Sequence, residues 1–157
     1  MRIFGVDPGT ARLGWGVVEK NKSTTTALVY GCIATQPSAP ELRLATMYKE
    51  LSALLKKYKP DVLAIEDLFF AVNAKTVIPV AEARGIVLLS AAQANIPVIS
   101  YTPLVIKQTI TGSGSADKRQ MQKMIQLLLK LKEIPKPDDT ADALAIAMTH
   151  AYTKRFI

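Results

Sequence analysis

The sequence predicts an α/β fold, a mixed sheet with helices on both faces, and three observations carry that prediction. Arg2 to Thr10 and Asp61 to Asp67 are short apolar runs that each end in acid, and the first turns at once through Pro8-Gly9. Runs of this length bounded by turn residues suit buried strands better than helices. Between them, Leu44, Met47, Leu51, Leu54 and Leu55 recur at helical spacing within Glu41 to Lys57, long enough for the crossover that two parallel strands require. Leu13 to Glu19 and Thr24 to Ala34 are strand-like in composition and joined by short connections, so with the first strand they form an antiparallel meander.

Asp7 closes the first strand at its carboxyl end, where ligands and chemistry collect in open α/β sheets; the competing role is an Asx residue that merely opens the turn. Trp15 and Tyr30 are assigned to packing. Gln36-Pro37-Ser38-Ala39-Pro40 breaks the strand pattern, and Lys56, Lys57 and Lys59 close the following helix where its dipole favours cations. Pro60 stops it. If the next strand neighbours the first, their carboxyl ends lie about 4.8 Å apart and Asp7 faces Glu66. Phe69 and Phe70 follow directly.

Thr76 to Asn95 is Ala-rich and nearly uncharged, with Pro79 marking a helix start or kink; a helix apolar on most sides is expected to be buried all round, inside the domain or against a second subunit. Ile96 to Tyr101 reads as a strand, Pro103 to Ile110 as a short helix and Ala116 to Leu131 as a basic amphipathic helix. The Thr111-Gly112-Ser113-Gly114-Ser115 loop between them could cradle a phosphate but lacks the Walker spacing, and fits a flexible, strand-hugging loop better. After Pro135-Lys136-Pro137 a last helix, Asp138 to Thr153, carries an apolar stripe of Ala141, Leu144, Ala145, Met148 and Ala151. Asp139 and Asp142 lie three apart on one face of it, where acids also serve as ordinary caps.

The 157 residues fit one domain, residues 1–157, and need no disulfide to bury a core. Cys32 is alone, which suits a reducing compartment and hence the cytosol, and no apolar run has the length of a membrane span. The chain is expected to be soluble and unexported. Net charge is +7, and seven Lys or Arg between Lys107 and Lys136 stand against only Asp117 and Glu133, so the basic excess is concentrated in one segment. An enzyme that binds a polyanion while holding metal has this layout. Asp7, Glu66, Asp139 and Asp142 all fall at element ends that a doubly flanked sheet brings together. Four clustered carboxylates need a cation, and oxygen donors without His or Cys select Mg²⁺ or Mn²⁺. Two such ions about 4 Å apart would clamp the attacking and leaving oxygens of a phosphoryl displacement. His150, three turns beyond Asp139, is too far for that site and is assigned to the surface or the core.

Taken together, Gly5-Val6-Asp7-Pro8-Gly9-Thr10, Ala64-Ile65-Glu66, Asn73-Ala74, Ala83-Arg84-Gly85, Val105-Ile106-Lys107-Gln108-Thr109, Gly114-Ser115-Ala116-Asp117-Lys118 and Asp139-Thr140-Ala141-Asp142-Ala143-Leu144-Ala145 resemble the RuvC family of crossover junction endodeoxyribonucleases over nearly the full length. The resemblance implies a ribonuclease H-like fold, with a five-stranded mixed sheet in order 3-2-1-4-5. It implies a homodimer that nicks a four-way (Holliday) DNA junction symmetrically in recombination and repair. Two Mg²⁺ per site, replaceable by Mn²⁺, would be held by Asp7, Glu66, Asp139 and Asp142, and the nicks would carry 5′-phosphate and 3′-hydroxyl ends. DNA contacts are expected from Lys107 and Lys118, from Arg119 and Lys123 in the same basic segment, and from Phe69 or Phe70 stacking on bases. A junction branch-migration helicase is an expected partner, and a bacterial-type cytoplasm with nucleoid association the expected place. Val72 stands where the family often has a basic residue. Two rivals are an actin-like or sugar-kinase-like ATPase, which shares the Gly-x-Asp-x-Gly-Thr opening but needs a second phosphate loop, and a non-catalytic junction-binding module, which would have lost the acids.

Overall fold

The computed structural model describes residues 1–67 and 74–153. In chain order the elements are β1 (Arg2–Asp7), β2 (Arg12–Lys20), β3 (Thr25–Ala34), α1 (Pro40–Tyr58), β4 (Val62–Glu66), α2 (Ala74–Gln93), β5 (Val98–Tyr101), α3 (Pro103–Thr111), α4 (Lys118–Leu128) and α5 (Asp138–Thr153). They build one five-stranded sheet in the order β3-β2-β1-β4-β5. The first three strands are antiparallel, and β4 and β5 run parallel to β1. This is the mixed, ribonuclease H-like order expected above.

Strand periodicity divides the core between the two faces of the sheet. Phe4, Val6, Leu63 and Ile65 pack on one face with Met47, Leu51 and Leu55 of α1 and Ala83 and Val87 of α2. Ile3, Val62, Ala64 and Tyr101 pack on the other with Ile106, Ile125, Leu144 and Met148 from α3, α4 and α5. Trp15 is the packing residue it was expected to be, stacked on Phe4 and Tyr58 with ring centroids 5.8 and 5.9 Å away.

Tyr30 is not fully covered: it is 38% exposed on β3, an edge strand of the sheet. For α2, burial inside the domain holds for one face alone. Ala83, Val87 and Ala91 are fully buried, but Ile78, Leu88 and Leu89 are exposed by 64%, 40% and 47%, so one apolar face is left open in the protomer. Pro79 lies inside this helix rather than at its start. β5 begins at Val98 rather than Ile96, whose N–H instead donates to the carbonyl of Ala91 and closes the end of α2. Positive φ at Lys130 ends the basic helix early, with the Leu131 N–H returning to the Gln126 carbonyl. Among the described residues no helix is long and apolar enough to cross a membrane.

Candidate active site

Register places the acids. Val6 pairs with Ile65 in parallel, so Asp7 and Glu66 leave neighbouring strands side by side; Asp7 pairs with Gly14, Gly14 with Cys32, and Glu66 with Tyr101. Because Ile3, Val62 and Ala64 face the α5 side, the period of two turns Asp7 and Glu66 to that side as well.

Glycine brings the remaining acids to them. A Cβ at Gly5 would overlap the Ala143 carbonyl and approach Cβ of Ala147 to 2.8 Å, one at Gly16 would meet Leu144 Cδ2 at 2.6 Å, and one at Gly14 would overlap the Asp139 carbonyl. α5 therefore lies directly on the backbone of β1 and β2, with its first turn above Gly14 beside Asp7. Thr140 Oγ1 donates to the Gly31 carbonyl at 3.2 Å and ties that turn to β3. Sequence reasoning missed these glycines, although two small residues at strand period, Gly14 and Gly16, are the signal for close approach to one face.

Asp7, Glu66 and Asp142 line a cleft of about 280 Å³ together with Lys107 and Lys118. Burial, then the charges of Asp142, Glu66 and Asp139, push the Asp7 carboxyl up to about 7, while Lys118 opposes the rise. Glu66 is raised by burial and by Asp142, against Lys107. Asp142 is raised by burial, which outweighs the opposing Lys118 ammonium. Asp7 thus feels the charge of the other three acids.

Lys118 is held in this cluster by local structure. Asp117 Oδ1 accepts from the Gln120 N–H at 2.8 Å and Gln120 Oε1 from the Asp117 N–H at 2.9 Å, a capping box that makes Lys118 the first residue of α4. Its ammonium donates to Asp138 Oδ2 and lies 3.4 Å from Asp142 Oδ2. These contacts raise the Lys118 pKa and hold Asp138 below its ordinary value. A cation therefore already stands against the acids. Among the described residues no three acidic, His or Cys side chains converge into a finished metal cage. The donor set nevertheless fits a hard cation, being all oxygen, with Asp7, Glu66 and Asp142 pushed up chiefly by burial.

Of the expected DNA contacts, Lys107 and Lys118 are in the cleft wall, whereas Arg119 and Lys123 are exposed on α4 and outside it. Phe69, Phe70 and Val72 lie outside the described residues. The Gly/Ser loop links α3 to α4 and is held by its own hydroxyls, with Ser113 Oγ and Ser115 Oγ 3.0 Å apart. His150 is a core residue, its Nδ1 2.7 Å from the Tyr101 hydroxyl. Asp138, the partner of Lys118, was not foreseen.

The sequence model described as "Crossover junction endodeoxyribonuclease RuvC" matches residues 3–150. A protein of that description from Syntrophomonas wolfei is 48% identical over 99% of this chain and 91% of its own length. One from Brevibacillus brevis is 49% identical over 100% and 95%. Among solved structures, Thermus thermophilus RuvC in complex with Holliday junction substrate superposes with a TM-score of 0.91 at 35% identity, covering 97% of this chain and 93% of that one. The yeast mitochondrial Holliday junction resolvase, at 16% identity and TM-score 0.66, shares the fold. The matched residues run from β1 through His150 of α5 and so span all four acids, and on that match the chain belongs to the RuvC family of crossover junction endodeoxyribonucleases.

Proposed function

We propose that this chain is a Mg²⁺-dependent resolvase of four-way DNA junctions, acting as a homodimer in homologous recombination and repair. The observation that carries the reading is that Asp7, Glu66 and Asp142 line one cleft together with Lys107 and Lys118. Asp7, Glu66, Asp139 and Asp142 would hold two ions. When bound, Mg²⁺ or Mn²⁺ supplies Lewis acidity at the attacking and leaving oxygens of the scissile phosphodiester. The protein's own part is to ionise and orient. Asp7, a weak acid in the metal-free fold, must surrender its proton to become a ligand, so loading releases protons.

Lys118 is mobile in role: its ammonium neutralises Asp138 and Asp142 before loading, and a scissile phosphate offers it a new acceptor afterwards. Lys107 steadies Glu66 electrostatically and meets the same backbone. Arg119 and Lys123, four apart on the outer face of α4, extend the basic track along a duplex arm. Phe69, or Phe70, stacks on the unpaired bases at the junction centre. The open apolar face of α2, with Ile78, Leu88 and Leu89, pairs two chains so that two opposed strands are nicked, leaving 5′-phosphate and 3′-hydroxyl ends.

End-labelled four-way and linear DNA, each incubated with Mg²⁺ and with EDTA, tests this reading. Paired nicks are expected only in the junction and only with Mg²⁺. Equal cutting of linear duplex, or cutting that survives EDTA, would overturn it.

A further inference from the structure

The Ala83-Arg84-Gly85 motif of α2 is not used by any step above, yet Arg84 makes three side-chain hydrogen bonds, one of them to Glu66. Its side chain is only 15% exposed. Nη1 donates to the backbone carbonyl of Glu66, and Nη2 donates to Ser100 Oγ at 2.8 Å and to Asp67 Oδ1 at 3.4 Å. These acceptors sit on β4, on the residue just past its end, and on β5. Ile65 pairs with Ser100 and Glu66 with Tyr101, and beyond that register the Asp67 N–H still reaches the Tyr101 carbonyl at 2.9 Å. The guanidinium therefore grips the carboxyl ends of β4 and β5 from the α2 side, behind the residue whose side chain faces the cleft.

We infer that Arg84 is a positioning residue for the reaction: it clamps the end of β4 to β5 and so keeps the Glu66 carboxylate aimed into the cleft. The chemistry of the contacts supports this over a merely structural ion pair. Asp67 is 43% exposed and its bond is the longest of the three, so the charge pair is the weaker part of the arrangement. The tighter bonds go to an uncharged carbonyl and a hydroxyl, which need a planar fork with several donors rather than a point charge. A ligand carboxylate at the open end of a strand is held only as well as its backbone is held, and groups that orient metal ligands typically matter about 10–100-fold in metal affinity or activity.

The inference rests on the reading of Glu66 as a metal ligand, and the experiment separates the two. Full-length wild type, Arg84→Lys, Arg84→Ala, Ser100→Ala and Glu66→Gln are compared in three measurements. These are single-turnover junction cleavage against Mg²⁺ concentration, junction affinity in EDTA, and the rise in melting temperature on adding Mg²⁺ without DNA. Arg84→Lys keeps the charge and loses the fork. It is expected to need about tenfold more Mg²⁺ for half-maximal cleavage and to show a smaller Mg²⁺-induced rise in melting temperature, with junction affinity in EDTA within about twofold of wild type. Arg84→Ala should go further and Ser100→Ala part of the way. If Arg84→Ala does not fold, Arg84→Lys and Ser100→Ala decide the matter. Wild-type Mg²⁺ dependence in Arg84→Lys, or loss of junction affinity in step with cleavage, would overturn the inference. Full cleavage by Glu66→Gln would instead overturn the role of Glu66.

Discussion

Replacing Asp7 by Asn removes a charge from the acid cluster while keeping the side chain's shape, and metal-free stability should rise. In the unfolded chain Asp7 ionises near 3.8; in the fold it ionises near 7. Between those values the native state keeps a proton that the unfolded chain has lost. Wild-type stability therefore falls as pH climbs through that window and levels off above it. A shift of about three pH units corresponds to about 4 kcal/mol at pH 8, as a ceiling. The cleft opens to solvent, and we take half of that, about 2 kcal/mol, which for a chain of this size is about 4–8 °C. Glu66 and Asp142 are raised as well, chiefly by burial, and both keep their charge in the variant. Thermal unfolding in EDTA should therefore place Asp7→Asn above wild type at pH 8 and level with it at pH 4. In Mg²⁺ the wild type should gain more than the variant, and cleavage by the variant should fall by orders of magnitude. A variant no more stable than wild type at pH 8, or one offset equally at both pH values, would refute the electrostatic reasoning.

Gly14→Ala changes no charge, yet its Cβ would meet the Asp139 carbonyl and lift the first turn of α5 off the sheet. Overpacking of this kind costs about 1–3 kcal/mol, and cleavage should drop while junction affinity, measured by gel shift, persists; unchanged cleavage would mean that the height of α5 does not set the site. Lys118→Ala should reduce the slope of log affinity against log salt by about one, because one phosphate contact is lost; an unchanged slope removes Lys118 from the interface. Leu88→Asp puts a charge on the exposed face of α2, whereas Val87 is buried in the core, so sedimentation velocity should find folded monomers that bind junctions but do not resolve them.

Asp7 and Glu66 were legible in the sequence because each ends a short apolar run, and strand ends are marked locally by Pro, Gly and acid. The helical crossover between them dictated that the strands be parallel. What escaped was tertiary. Gly14 and Gly16 at strand period signal a close approach to one face, but not what approaches; only the helix arriving from residue 138 onward reveals Gly14 as the seat of Asp139. Lys118 was read as a phosphate contact, but its ion pairs with Asp138 and Asp142 join residues 20 and 24 apart across a turn that the sequence does not describe. The uniform apolarity of Thr76 to Asn95 could not separate a face buried in the protomer from one left open. Tyr30 was misassigned because β propensity is blind to whether a strand lies at the centre or the edge of its sheet.

Direct counting of bound ions tests most closely whether Asp7, Glu66, Asp139 and Asp142 form one metal site. Mn²⁺ titrated into the protein bound to an uncleavable phosphorothioate junction, with free ion followed by its paramagnetic resonance signal, should be taken up at about two ions per chain by wild type. Asp7→Asn and Asp142→Asn should each take up fewer. Equal Mn²⁺ uptake by wild type and both variants would contradict the assignment of these carboxylates as the metal centre.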